Sequence, residues 1–187
     1  MKRLAVCLIL WLPMAYAQNS SPAAQEKFAS GGTIRLHLEA GGYTVTADDS
    51  DNIVVFKNRD SVKVEIKTSG SNADVYVTDT PHNNFQATIQ VPRRSNLWVR
   101  LTAGELVVEN LEGDKNLEVH AGRIQVEIPQ AQDYGHRDAS VLAGSIEASP
   151  FDISKGGLFR SFDQQGPGKY RLHAHVMTGE IDLKGSD

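Results

Sequence analysis

From Thr33 onward the chain alternates apolar and polar residues over short stretches: Ile34-Arg35-Leu36-His37-Leu38, Val62-Lys63-Val64-Glu65-Ile66, Val75-Tyr76-Val77 and Ile124-Gln125-Val126-Glu127-Ile128. Each is bounded by Gly, Asn, Asp or Pro, and a period of two between such breakers is the pattern of strands with one buried face. No segment shows the spacing of an amphipathic helix. The alternation predicts an all-β chain.

A repeat lies on top of the alternation. A small residue followed by glycine recurs at Ala40-Gly41, Ala103-Gly104, Ala121-Gly122, Ala143-Gly144 and Thr178-Gly179. Three residues before these glycines stand Leu38, Leu101, Val119, Val141 and Val176, and five before stand Leu36, Val99, Leu117, Ala139 and Ala174. Two after come Tyr43, Leu106, Ile124, Ile146 and Ile181, and four after come Val45, Val108, Val126, Ala148 and Leu183. Positions three before and two after are an odd number apart, so they cannot share one face of a straight strand. The strand must turn a corner or bulge at the glycine, which tolerates φ > 0 and leaves both arms facing one interior. This is how a β-solenoid or β-helix-like stack of short coils with Ala-Gly corners is built, with Leu106, Ile124, Ile146 and Ile181 stacked in one column. An antiparallel β-sandwich built from hairpins with glycine bulges is the alternative.

Glycine spacings of 18 and 22 residues suit single coils. The next, 35, implies an insertion within Pro150 to Tyr170, where Phe159 and Phe162 are placed to pin a loop back onto the body. The first, 63, is about three coils long. It leaves Asp48 to Arg94 open between degenerate coils and a separate hairpin layer.

The opening Gly31-Gly32-Thr33-Ile34-Arg35-Leu36-His37-Leu38-Glu39-Ala40-Gly41, the tandem Ala-Gly-x-Leu/Ile-x-Val coils, and the segments Tyr170-Arg171-Leu172 and Gly179-Glu180-Ile181-Asp182-Leu183 carry a family likeness. From about Phe28 to Leu183 the chain resembles the bacterial "putative adhesin" domains of unknown function, which are exported or membrane-tethered. The resemblance implies a right-handed β-solenoid-like fold and an envelope or surface role. It brings no catalytic residues with it.

The first seventeen residues change the picture next. Lys2 and Arg3, an apolar stretch from Leu4 to Leu12 and the small-residue site Ala15-Tyr16-Ala17 have the build of a secretory signal peptide, cleaved before Gln18. A retained N-terminal anchor shares this charge pattern and stays open. Residues 18–30 read as a polar linker, and 31–187 as a single all-β repeat domain. The expected location is the periplasm or the cell surface, with no transmembrane segment after signal cleavage. Cys7, the only cysteine, falls in the signal, so neither disulfides nor thiol chemistry support the mature domain. Without Lys2 and Arg3 there remain 17 basic and 23 acidic residues, a formal charge of −6, which disfavours nucleic acid as a partner. Arg93-Arg94, the only tight basic pair, reads as a solvated loop.

Candidate chemistry is sparse. His173 and His175 share an outward strand face, but a third metal ligand is missing, since His120 is expected about two coils away, roughly 10 Å. Asp48, Asp49 and Asp51 lack the glycine and bidentate glutamate of a calcium loop and read as an acidic turn. No Gly-x-Ser-x-Gly elbow is present. We therefore expect no catalytic, cofactor or metal site. The outward rows beyond the glycines supply a candidate binding face, Glu105, Arg123, Gln125, Glu127, Glu147, Glu180 and Asp182. The leading expectation is a non-catalytic envelope or cell-surface module that binds or scaffolds an envelope protein or glycan, adhesin-like. A second is an accessory regulator of envelope stress signalling. A third, a polysaccharide-active enzyme, would need a groove lined by close carboxylates, for example among Glu105, Glu127, Glu147 and Asp182.

The frame separates neighbours sharply. Val126→Asp should cost several kcal/mol by burying an unpaired carboxylate, while Gln125→Asp, one residue away, should leave the melting temperature almost unchanged; equal shifts would contradict the parity argument.

Overall fold

A computed structural model describes residues 21–81 and 83–185. The signal segment, Cys7 and the start of the linker lie outside the described residues. Twelve strands form one mixed sheet: β1 (Ala24–Lys27), β2 (Thr33–Leu38), β3 (Gly41–Asp48), β4 (Asn52–Lys57), β5 (Lys63–Ser69), β6 (Asn72–Thr78), β7 (Gln86–Pro92), β8 (Asn96–Glu109), β9 (Lys115–Ile128), β10 (Tyr134–Ala148), β11 (Ile153–Gln165) and β12 (Tyr170–Gly185). Two short 3₁₀ turns, Ala131–Asp133 and Ser149–Phe151, are the only helical segments among the described residues. The all-β expectation holds.

The long strands bend where the repeat places the corner. Gly41, Gly104, Gly122, Gly179 and Gly144 stand side by side in register on successive parallel strands. Their φ angles run from +127° to +155°. A Cβ on Gly104, Gly122, Gly179 or Gly144 would overlap the carbonyl oxygen of the glycine on the neighbouring strand. Each strand thus has a leading arm before its glycine and a trailing arm after it. Together β2 and β3 form one such rung, with β2 pairing the leading arm of β8 and β3 its trailing arm.

Most of the interior consists of four rows that cross the rungs. In the leading arms these are Val77, Leu38, Leu101, Val119, Val176, Val141 and, two residues earlier, Val75, Leu36, Val99, Leu117, Ala174, Ala139. The trailing arms contribute Ala87, Tyr43, Leu106, Ile124, Ile181, Ile146 and Ile89, Val45, Val108, Val126, Leu183, Ala148. None of these is more than 4% exposed. Every residue assigned inward from the glycine frame is buried.

Rung order departs from chain order. After β10 the chain reverses as β11, antiparallel to β10, and then β12 enters between β9 and β10, parallel to both. The column therefore runs Leu106, Ile124, Ile181, Ile146. Pro150 to Tyr170 is mostly strand rather than loop. Phe162 pairs with Ala139 and is buried, offsetting the small alanines of that row, whereas Phe159 is 77% exposed.

The 48–94 region resolves into two kinds of element. β6 and β7 form a further rung, parallel to β2 and β3, while β5 and β4 pair with them antiparallel. Part of the segment read as linker is also built in: β1 pairs with β4, and Phe28 is buried. Antiparallel strands thus close both ends of the parallel stack. On β11, Lys155 and Arg160 take the register positions of interior rows, opposite Ile146 and Val141. Charges there oppose the addition of another strand.

One interior position holds a cation. Lys115 lies between Leu97 and Leu172 in the row seven before the glycines. It is 1% exposed and donates from Nζ to the Leu111 carbonyl (2.7 Å), the Gly113 carbonyl (3.2 Å) and the Tyr134 hydroxyl (2.6 Å). Burial lowers its pKa to about 8 despite these acceptors.

Two measurements probe this construction. Gly122→Ala should destabilise by about 4 kcal/mol or more, since it forces two rungs apart and strains φ. Gly156→Ala, where a Cβ would meet only the Gly144 carbonyl oxygen at 4.0 Å, should be nearly neutral in the same melts. The second concerns pH. The unfolded chain holds the Lys115 proton up to about pH 10.4, whereas the folded chain releases it near 8. Stability measured by urea unfolding should accordingly rise between those values, by on the order of 2 kcal/mol, and Lys115→Met should abolish the rise. Burial also holds the Tyr43 and Tyr134 hydroxyls well above their ordinary value. Stability should fall again above about pH 10 in both proteins, as unfolding then releases tyrosine protons.

Candidate functional site

The rungs give the molecule two outward faces, one on each arm. All seven residues of the expected binding face lie on the trailing arms. Glu105, Arg123 and Glu180 adjoin in one row, Gln125, Asp182 and Glu147 in the next, and Glu127 stands beside Lys184. Arg123 donates to Glu180 at 2.6 Å and 3.1 Å, and Lys184 contacts Asp182 at 3.0 Å and Gln125 at 3.1 Å. Glu147 accepts from the Ser154 hydroxyl at 2.9 Å. Glu180, with Glu105 and Asp182 nearby, raises the Arg123 pKa further. This is a flat, mixed-charge surface with much of its charge already paired. None of the seven lines a cavity described below.

The leading arms are different. Their outward rows carry Tyr76, His37, Arg100, Glu118, His175 and Ser140, and, two residues earlier, Asp74, Arg35, Trp98, Asn116, His173 and Asp138. The His37 ring stacks on Tyr76 at 4.6 Å with planes 8° apart and lies 5.5 Å from Trp98. Arg100 covers the Trp98 ring at 4.6 Å and pairs with Glu118 at 3.2 Å. Contacts between rungs add His37 to Asp74 at 3.3 Å, His173 to Asp138 at 2.5 Å and Ser140 to His175 at 2.8 Å.

Among the concavities of this face, two span several rungs. One, of about 620 Å³, is bordered by His37, Tyr76, Arg100, Glu118, His120 and Met177. The other, of about 450 Å³, is bordered by Asn96, Trp98, Asn116, Asp138, Arg171 and His173. The glycine frame marks these residues as outward, but their grouping depends on rung order, which the spacing does not contain. His120 illustrates this. Expected two coils from the His173 and His175 strand, it sits on the adjacent one, since Val119 pairs with Val176.

No group of three or more His, Cys, Asp or Glu among the described residues is placed to hold a metal ion. In the acidic turn, Asp49 pairs with Arg93 at 2.7 Å, Asp48 accepts from Ser50 at 2.8 Å and Asp51 from the Ser30 amide at 3.3 Å. Arg94 pairs with Glu112 at 3.5 Å. Ile181 to Leu183, on the last strand, is interior to the sheet, and the open edges belong to β1, β5 and β11. No helix among the described residues is long and apolar enough to cross a membrane.

No protein-family model and no curated protein matches the chain. Among solved structures, the fold is similar to that of a protein from Clostridium sporogenes described as a "putative cell adhesion protein". The TM-score is 0.51 at 12% sequence identity, over 89% of this chain and 100% of that one. At such identity the likeness is one of fold.

Proposed function

We propose that this chain is a non-catalytic, exported module of the envelope or cell surface, β-solenoid-like in architecture and adhesin-like in action, which binds a macromolecular partner through the outward rows of its folded sheet. The observation that carries the reading is the in-register glycine corner. It fixes successive strands about 4.8 Å apart and displays their outward side chains as two regular, extended faces. Surfaces of this kind suit broad, shallow recognition. The described residues offer paired and stacked side chains, such as Arg123 with Glu180 and His37 with Tyr76, spread over open faces. The fold shared with the Clostridium sporogenes protein supports the same reading by analogy. The charged trailing-arm face is suited to a protein contact, in which charge complementarity sets specificity.

Purified Gln18 to Asp187 should capture a specific, saturable component from the native envelope fraction. If that component is a protein held on the trailing arms, the charge reversal Arg123→Glu, which sets a carboxylate against Glu180, should weaken capture about tenfold or more. Absence of any saturable partner would contradict the binding reading.

A further inference from the structure

The smaller cavity on the leading arms has a chemistry of its own. Trp98, Asn116 and His173 are consecutive across β8, β9 and β12, and all three border it. Arg100 takes one side of the Trp98 ring. Trp98 nevertheless borders the cavity, whereas Arg100 and His37, which flank its ring, do not. Beside it, the side-chain oxygen of Asn116 is buried and has no hydrogen-bond partner among the described residues. A buried acceptor of this kind costs about 1–3 kcal/mol until a donor reaches it. Around the rim, Asn96, Asp138, Arg171 and His173 mix donors with acceptors.

The charges narrow the ligand class. Arg171 is the one guanidinium in the wall, set against the carboxylates of Asp114 and Asp138, and the His173 imidazole is bonded to Asp138. Lys115 also borders the cavity but is committed to Leu111, Gly113 and Tyr134. No excess of positive charge is left to draw a phosphate or a uronic acid. What fits is a ligand with an apolar C–H face to lie against an indole and hydroxyls to donate to Asn116 and bond the rim.

We propose that this cavity is a carbohydrate site that takes a neutral sugar unit of an envelope glycan, with Trp98 as the stacking surface and the Asn116 amide, whose oxygen is closed to solvent until the side chain turns toward the cavity, as the partner of a sugar hydroxyl. The inference rests on the binding-module reading and adds to it a place and a ligand class. The trailing-arm face takes no part in it.

Trp98 is the only tryptophan between Gln18 and Asp187, so its fluorescence reports on the site directly. Gln18 to Asp187 is titrated with neutral gluco-, manno- and galacto-oligosaccharides and with acidic galacturonate oligomers, and affinities are repeated by calorimetry. At least one neutral series should give a saturable change in emission. Trp98→Ala should abolish binding, Trp98→Phe should retain part of it, and Asn116→Leu should weaken it about tenfold. Arg123→Ala, on the other arm, should bind as the parent does. Thermal melts near the parent value will show that the leading-arm variants are folded.

Flat titrations with every neutral series, preference for the acidic oligomers, or undiminished calorimetric binding by Trp98→Ala would each overturn the assignment. Capture of an envelope component alongside flat titrations overturns this site and leaves the binding module standing. Failure of both overturns both.

Discussion

A backbone oxygen occupies the space in which each corner glycine would otherwise carry a side chain. Gly104, Gly122, Gly179 and Gly144 each abut the carbonyl of the next glycine along the row, and much of the structure follows from that exclusion. The rungs approach to full hydrogen-bonding distance at the bend, and no other residue type can occupy the row. The change of parity at the corner points both arms into one interior, so that Leu117 and Val119 before the bend and Ile124 and Val126 after it are all buried. A domain without disulfides depends on continuous rows of this kind for its stability. Lys115 tests the same geometry from within, since its ammonium is accommodated only where the loop carbonyls of Leu111 and Gly113 turn back toward it.

Inward and outward positions were legible in the sequence because they depend only on local spacing from a glycine. Tyr43, Leu106, Ile124 and Ile181 share one row because each lies two residues past its corner. The order of rungs is a long-range property. The segment from Ile153 to Gln165 has a glycine pair and alternates poorly, so it reads as an insertion. It pairs along the flank of β10 and sends the chain back to place β12 between older neighbours. β1 was obscured for a different reason: Ala24-Gln25-Glu26-Lys27 is polar, and its pairing partner, β4, is what orders it as a strand.

The same distinction explains the candidate site. The trailing-arm face is readable because Glu105, Arg123, Glu147 and Glu180 are charged and periodic. On the leading arms, Trp98, Asn116 and His173 are separated by 18 and 57 residues in sequence. They become neighbours only once β12 lies against β9. A tryptophan in an outward position, six before its glycine, was the one local signal that pointed there, because large aromatics on an exposed strand face usually have something to contact.

That same placement of β12 sets a clock. The strand is made after β10 and β11, yet it separates β9 from β10 and bonds to both. Until it arrives, each of those strands presents an unpaired parallel edge, and the interior rows are broken between Ile124 and Ile146. The rungs beyond β9 therefore cannot add in order behind the ribosome, as those of a sequential repeat can, and closure between β9 and β10 awaits Tyr170 to Gly185. If the chain is exported as proposed, this late closure would be an advantage, because a polypeptide that cannot lock early remains threadable.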